Sequence, residues 1–231
     1  MIVTLYFIIY LNLINSLSDY NSQDIIFEVI SDGLNSLIFD DSYVKICFLV
    51  MILSKYDKIT FIDFDSIFSA YYNAGIIKKE FKSKNIDIYL PDEYEFVSLI
   101  NKIIKSINGS SILVLDSINS FYNMYYKKLS QNQEMRVSEI QRIFSSFTML
   151  LVKYCNEFNI PIVVTSFMSY KKEKEWILSI PNKRLTQKKS NVLLYIGENE
   201  NKGMYVNIMS HPILGPKTIP FKYDLSLSRI E

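Results

Sequence analysis

The chain has 231 residues, of which 49% are hydrophobic and 21% are charged. That length suits one domain with a sizeable core, and six glycines and six prolines are too few for low-complexity linkers. The formal net charge of +1 excludes a global field that attracts nucleic acid, so such a partner would need a local basic patch. The two cysteines have no metal-binding spacing and form no plausible disulfide framework, which indicates a reducing, intracellular compartment.

Residues 1–23 form an apolar N-terminal segment with no charged side chain before Asp19. A spanning helix needs about 20 apolar residues, and Asn12 and Asn15 interrupt this stretch. A secretory signal would carry a basic start and small residues before its cleavage site, and neither is present. We expect the segment to pack on the domain or to mediate assembly, and we do not expect it to contact a membrane. A signal or membrane anchor is the alternative.

Residues 24–231 predict a single α/β domain in which strands and helices alternate. Its first elements are a short helix over residues 24–33 and a short strand over residues 37–39. Residues 43–55 follow as a helix that is almost wholly apolar on one side. Lys45 is expected to be a solvated residue at the start of that helix.

The second strand is predicted at residues 58–63, which read KITFID. Asp63 and Asp65 are expected to cap a helix or to lie at the edge of the core. A helix is predicted over residues 66–80, and a third strand over residues 86–90.

Residues 111–117, which read SILVLDS, are a run of strand-forming residues that ends on an acid. A run of this length predicts a strand that is buried on both faces, which is typical of a parallel sheet. Asp116 then lies at the carboxyl end of the strand, where open α/β sheets keep their ligand crevice.

A loop is predicted after Asp116 and a long amphipathic helix over residues 136–158, where apolar residues recur at spacings of three and four. Residues 160–167, IPIVVTSF, predict the next buried strand. The closing segments are expected to be antiparallel strands over residues 191–196, 204–209 and 218–223.

This order of elements resembles the core of the RecA/RadA recombinase family. In that family a strand with the pattern hhhhDS precedes a loop and a helix that begins near an arginine, and the next strand reads hhhTNQ. The corresponding strings here are ILVLDSINSF, RVSEIQRIFSSFTMLLVKYCNEFN and IPIVVTSF. The resemblance covers most of residues 24–231 and extends to short archaeal RadB-type proteins and eukaryotic recombinase paralogues. It implies a RecA-like core, with a mostly parallel twisted sheet flanked by helices and with C-terminal antiparallel strands.

The resemblance also implies a nucleotide site at the junction between the first strand and the first long helix. The family carries G-x-x-x-x-G-K-[ST] there, so that backbone N–H groups surround phosphate oxygens and the lysine neutralises them. If Lys45 is aligned with the motif lysine, Val44 stands at the glycine and Ile46 at the hydroxyl position. Asp40 and Asp41 then stand where phosphates would lie, which makes triphosphate binding in the usual manner unfavourable.

Other parts of the family's nucleotide site are altered as well. Asp65 stands in place of the glutamate that orients the attacking water, and Phe167 in place of the glutamine that senses the γ-phosphate. Asp116 matches the acid that holds magnesium, but we expect it to accept hydrogen bonds from neighbouring backbone donors. We interpret Lys45, Asp65 and Asp116 as remnants of a nucleotide site, and we expect no catalytic residue, metal, ATP or magnesium.

Two segments occupy the places of the recombinases' DNA-binding loops. The first runs from Tyr125 to Arg136, and the second spans residues 168–191. The second segment contains seven Lys and Arg residues and two Glu residues, which gives it a net charge of +5. Cations follow a phosphate backbone and aromatic rings stack on bases, which is how single strands are bound without sequence preference. The DNA-binding candidates are Lys127, Lys128, Arg136, Tyr170, Lys171, Lys172, Lys174, Trp176, Lys183, Arg184, Lys188 and Lys189. A solvated loop or a protein-docking surface is the alternative for the second segment.

The resulting hypothesis is a non-catalytic recombinase paralogue that assists homologous recombination and DNA repair. Its expected partners are DNA, single-stranded in form, and another recombinase-fold subunit, in the cytoplasm or in the nucleus of a eukaryote. Two alternatives stay open. One is a KaiC-like or RecA-like ATPase with an atypical nucleotide site around Lys45, Asp65 and Asp116, and the other is a scaffold subunit without DNA binding.

Overall fold

In the computed structural model the chain is described over residues 25–26, 28–91, 96–131, 137–172, 176–179, 182–200, 203–223 and 225. This part of the chain contains ten strands and six α-helices. The strands are β1 (Leu34–Phe39), β2 (Lys58–Asp63), β3 (Asn85–Tyr89), β4 (Ile112–Asp116), β5 (Ile162–Phe167), β6 (Ser169–Lys172), β7 (Trp176–Ser179), β8 (Val192–Glu198), β9 (Met204–Ser210) and β10 (Lys217–Phe221). The helices are α1 (Ser42–Leu53), α2 (Ile67–Asn73), α3 (Phe96–Ser106), α4 (Ile118–Gln131), α5 (Val137–Glu157) and α6 (Lys183–Lys188).

Eight of the strands form one sheet in the order β10-β9-β8-β1-β5-β4-β2-β3. The strands from β8 to β3 in this order are parallel. The strand β9 pairs antiparallel with β8, and β10 pairs antiparallel with β9. The sheet confirms the predicted α/β architecture, a mostly parallel sheet with helices around it and antiparallel strands at its C-terminal end.

The direction of β8 corrects one expectation. Residues 191–196 were expected to join the closing antiparallel strands, but β8 is parallel to β1. After β5 the chain passes through the hairpin β6–β7 and helix α6, and the Asn191 N–H then donates to the Leu34 carbonyl at the start of β1. The chain therefore enters β8 from the amino end of the sheet, which makes β8 parallel.

Alternate residues of each strand point to opposite faces of the sheet, and each face carries its own apolar core. On one face, Phe39 and Phe61 pack with α1 and α2. On the other face, Leu115 and Val164 pack with α3, α4 and α5. All of α1 from Val44 onward is buried, which fits a helix that is apolar around most of its circumference.

Helix α4 corrects the predicted loop after Asp116. Its start is marked by Ser117, whose Oγ accepts a hydrogen bond from the Ser120 N–H at 3.3 Å. Phe121 is buried, and Tyr122 and Tyr125 contact the same core. These aromatic residues recur on one side of the helix and anchor it, so residues 125–128 are helical.

The segment over residues 168–191, which was predicted to be a loop, also contains regular secondary structure. The strands β6 and β7 form an antiparallel two-stranded sheet, and α6 follows. The helix predicted over residues 66–80 is shorter than expected, because α2 ends at Asn73 and a separate 3-10 turn covers Lys78–Phe81. Gly75 between them has φ of +80°, a conformation that favours glycine and interrupts the helix.

The N-terminal segment, residues 1–23, lies outside the described residues. Within the described part of the chain, no helix combines the length and the apolar character that crossing a bilayer requires. Cys47 on α1 and Cys155 on α5 are both buried, as expected for apolar helix faces.

Candidate functional site

The carboxyl ends of four parallel strands meet at one edge of the sheet and form the candidate site. Phe39 at the end of β1 is in register with Phe167 at the end of β5. Asp63 at the end of β2 is in register with Asp116 at the end of β4. Lys45 lies in the first turns of α1, which leaves the end of β1 after Asp40 and Asp41.

Lys45 is the centre of this site and forms two ion pairs. Its Nζ lies 2.7 Å from Asp65 Oδ2, and 2.9 Å and 2.7 Å from Asp116 Oδ1 and Oδ2. The side chains of Lys45 and Asp116 are 0% exposed, and that of Asp65 is 10% exposed. Lys45 was expected to be solvated, and this expectation was wrong. Two carboxylates compensate its charge, so the lysine can be buried.

Aromatic and hydroxyl groups complete the surroundings of the Lys45 ammonium. The Phe167 ring lies with its centroid 5.2 Å from Nζ, a cation–π distance. The Thr165 hydroxyl donates a hydrogen bond to Asp116 Oδ1. Asp116 was expected to accept bonds from backbone donors, but its carboxylate is held by two side chains. This follows from its position at the strand end, where it faces α1 and β5.

The charged groups of this cluster shift one another's pKa values. Burial lowers the pKa of Lys45, but the charges of Asp116 and Asp65 outweigh it and raise the pKa above its usual value. Burial raises the pKa of Asp116, and Lys45 acts against that shift. Because the ammonium contacts both oxygens of Asp116, and charged hydrogen bonds of this length favour the ionised forms, the pair is an ion pair.

Asp63 and Asp65 also organise the start of helix α2. Asp65 Oδ1 accepts a hydrogen bond from the Ile67 N–H at 3.0 Å, and Asp63 Oδ2 accepts one from the Ser69 N–H at 2.8 Å. Burial raises the pKa of Asp63 to about 7, and the neighbouring charge of Asp116 adds to the shift. Asp63 is therefore partly protonated near neutral pH.

The N-terminus of α1 is capped by the chain itself. Asp41 Oδ1 accepts hydrogen bonds from the N–H groups of Tyr43 and Val44, at 2.6 Å and 3.3 Å. The N–H groups at a helix N-terminus are the donors that a phosphate would otherwise use. Asp40 is held by the hydroxyl of Tyr195 on β8. Asp41 thus occupies the N–H groups of this helix, and Asp40 contacts β8.

These residues do not fit the triphosphate and magnesium that a RecA-like fold implies. The three N–H donors of an ammonium are directed at three carboxylate oxygens of Asp65 and Asp116. Oxygens of Asp63, Asp65 and Asp116 lie within 4.8 Å of one another, which is a spacing that could hold a cation. The Lys45 ammonium already contacts two of these three acids, so a metal ion would have to displace it.

Asn119 and Thr165 make contacts at this candidate site that the sequence did not predict. Asn119 Oδ1 accepts a hydrogen bond from the Phe167 N–H at 2.8 Å, and its Nδ2 donates to the Phe167 carbonyl at 3.3 Å. This amide joins α4 to the end of β5. A signal existed for Thr165, because a polar group inside a mostly apolar strand is usually hydrogen-bonded. Asn119 gave no such signal, because it lies in a helix with many polar residues.

The DNA-binding candidates divide into three groups. Four of them lie on or directly after α6 with exposed side chains, namely Lys183, Arg184, Lys188 and Lys189. For others only the backbone is described, which places Lys127 and Lys128 on α4, Tyr170, Lys171 and Lys172 on β6, and Trp176 on β7. Arg136 and Lys174 lie outside the described residues.

Comparison with known proteins supports the fold. No protein-family model and no curated protein sequence matches the chain. A crystal structure of the RadB recombinase superposes with a TM-score of 0.63 and 15% sequence identity, over 85% of this chain and 90% of that chain. At this identity the likeness concerns architecture, and it shows that the chain has a RecA-like recombinase fold.

The ion pairs of Lys45 make a direct prediction about stability. Lys45→Met would leave the charges of Asp65 and Asp116 buried without a cation, which lowers the free energy of unfolding by about 3–5 kcal/mol. Urea denaturation measures this change.

Lys84→Met is the matched control, because Lys84 pairs with the exposed Asp57 and its loss changes stability by about 0–1 kcal/mol. Adding Asp116→Asn to Lys45→Met should restore part of the loss. Equal effects of the two lysine substitutions would contradict this assignment.

The raised pKa of Asp63 predicts a pH dependence of stability. The folded state holds the Asp63 proton more tightly than the unfolded state, so this contribution is complete below the unfolded pKa and is lost as pH rises toward 7. A rise of the Asp63 pKa to about 7 corresponds to a change in the free energy of unfolding of at most about 4 kcal/mol. Asp63→Asn keeps an acceptor for Ser69 and should flatten the fall of unfolding free energy between about pH 4 and pH 7.

The control for this experiment is Asp57→Asn, because Asp57 is 90% exposed. The unfolding free energies of the wild type and both variants are measured across the same pH range. If Asp63→Asn and the wild type fall in parallel, Asp63 does not carry the predicted proton.

Proposed function

We propose that this chain is a non-catalytic RecA-like subunit that assists homologous recombination by presenting a basic surface to single-stranded DNA without using ATP. The observation that carries the proposal is the buried Lys45 ammonium between Asp65 and Asp116. In this arrangement the Lys45 ammonium balances the acids, as magnesium would, and the acids balance the lysine, as phosphate would. The charges of the site are therefore balanced without magnesium and nucleotide.

The contacts of Phe167 support a fixed link between this cluster and the segment that follows β5. The ring faces the Lys45 ammonium, and the backbone of Phe167 is bound on both sides by Asn119. The next residue, Met168, donates its N–H to the Phe39 carbonyl at 3.1 Å. The start of the basic segment is thus anchored to β1, α4 and α1 at once, in a position that does not depend on a γ-phosphate.

The surface proposed for DNA is carried by α6 and the hairpin before it. Lys183, Arg184, Lys188 and Lys189 are exposed, and the helix that carries them is anchored by the buried Leu185 and Thr186. A cluster of cations on a rigid element suits the sequence-independent contacts that dominate binding to a phosphate backbone.

The second proposed partner is another recombinase-fold subunit. A RecA-like subunit that does not hydrolyse ATP would act through a subunit that does, and one structural neighbour of this chain is a recombinase by name. In such a pair this chain contributes a DNA-binding surface that does not depend on ATP.

Fluorescence anisotropy with a labelled thymidine oligonucleotide tests the proposal. The wild type should bind with a strong salt dependence, and the affinity should be the same with and without magnesium-ATP. The double charge reversal Lys183→Glu and Lys188→Glu should weaken binding about tenfold or more, because two phosphate contacts become repulsive.

The matched control is Lys78→Glu with Lys82→Glu, which makes the same change in charge at two exposed lysines, one in the 3-10 turn Lys78–Phe81 and one directly after it. This variant should bind nearly as the wild type does. Absence of binding by the wild type, or equal losses in both double variants, would refute the DNA-binding role. An affinity that depends on magnesium-ATP would instead favour the atypical ATPase.

A further inference from the structure

The turn between β9 and β10, residues 211–216, holds one apolar side chain in solvent and the next in the core. Ile213 is 74% exposed, which is the largest value among the large hydrophobic side chains of the described residues. Leu214 is buried and belongs to the same core as Val206, Ile219 and helix α1. The conformation of this turn therefore decides how much apolar surface meets water at this edge of the sheet.

His211, the only histidine of the chain, fixes the conformation of this turn. Its Nδ1 accepts hydrogen bonds from the backbone N–H groups of Ile213 and Leu214, at 3.1 Å and 2.9 Å. A ring nitrogen can accept a hydrogen bond only while it carries no proton of its own. The two bonds therefore require the neutral imidazole, with its hydrogen on Nε2.

The surroundings of the ring favour its neutral form. Nε2 is buried, and the backbone of Glu28 lies near it without forming a hydrogen bond of normal geometry. Burial lowers the pKa of His211, and the charge of Lys217 on β10 adds to this shift, whereas the Glu28 backbone acts against it. Lys217 on β10 and Glu28 before β1 are the charged residues that the described part of the chain places against the ring.

We propose that His211 is a proton-operated latch, whose protonation releases the β9–β10 turn and uncovers Leu214 beside Ile213. A hydrogen on Nδ1 would face two backbone N–H groups, so two attractive contacts become repulsive at once. Because folding favours the neutral ring, the turn is held above the ordinary histidine pKa of about 6.5. It is released as the pH falls through the lowered pKa of His211. Acid thus exposes a pair of apolar side chains on this surface.

The latch is remote from the Lys45 cluster. Ser210 at the end of β9 pairs with Leu193 at the start of β8, so the turn lies at the amino edge of the parallel strands. Asp63 and Asp116 lie at the carboxyl ends of β2 and β4. The protonation of Asp63 is therefore separated from the latch by the length of the strands, and the inference does not depend on the proposed DNA binding.

NMR of the wild type across a range of pH tests the latch, because a single histidine gives unambiguous ring signals. The ring should titrate below the ordinary value and carry its hydrogen on Nε2 at neutral pH. Below the ring's pKa, the hydrogen-exchange protection factors of the Ile213 and Leu214 amides should fall about tenfold per pH unit, since one proton is linked to opening. The Gly203 amide is the control, because it donates at 2.8 Å to Asn199 Oδ1, which does not titrate.

Two substitutions separate the acceptor of His211 from its proton. His211→Asn keeps a side-chain acceptor that suits such a turn but does not titrate, so both amides should stay protected at every pH. His211→Leu removes the acceptor and should lower both protection factors about tenfold or more, also at neutral pH. A ring that titrates at or above the ordinary value would overturn the latch. Wild-type protection factors that do not follow the titration of the ring, or that fall with pH equally in His211→Asn, would overturn it as well.

Discussion

The burial of one lysine ammonium between two carboxylates constrains the whole candidate site. A charge with no exposed surface is tolerated only where opposite charges and hydrogen bonds replace water. Lys45 meets that condition through Asp65 after β2 and Asp116 at the end of β4. Thr165 and Phe167 on β5 close the remaining sides. Three strands and the first long helix are thereby joined at the edge where α/β sheets hold their ligands.

These contacts use groups that would bind a nucleotide in a RecA-like architecture. A site built to hold nucleotide leaves its helix N-terminus and its lysine available to phosphate. Here Asp41 occupies the N–H groups of the helix, and the acids of the strand ends occupy the lysine. The contacts of Phe167 with Asn119 link this cluster to the segment that follows β5. In the proposed function, that segment presents its basic surface without nucleotide.

Much of the fold could be predicted from the sequence, because its buried strands are continuous apolar runs. The predicted strand over residues 58–63 coincides with β2, and the predicted strand over residues 111–117 contains β4. The direction of β8 could not be read from its residues, since the path of the preceding connection sets it. The family resemblance placed Lys45, Asp65 and Asp116 in one site, but it did not predict the burial of Lys45. Its partners are 20 and 71 residues away in the chain, and the alignment of strand ends brings them together.

The most direct measurement of the central claim is nitrogen-15 NMR of the Lys45 ammonium, with and without magnesium-ATP. An ammonium held by three carboxylate oxygens and shielded from solvent should exchange its hydrogens slowly and give a distinct signal. The account predicts that this signal is present without nucleotide and does not move when magnesium-ATP is added. A rapidly exchanging ammonium, or a Lys45 signal that shifts on addition of magnesium-ATP, would contradict it.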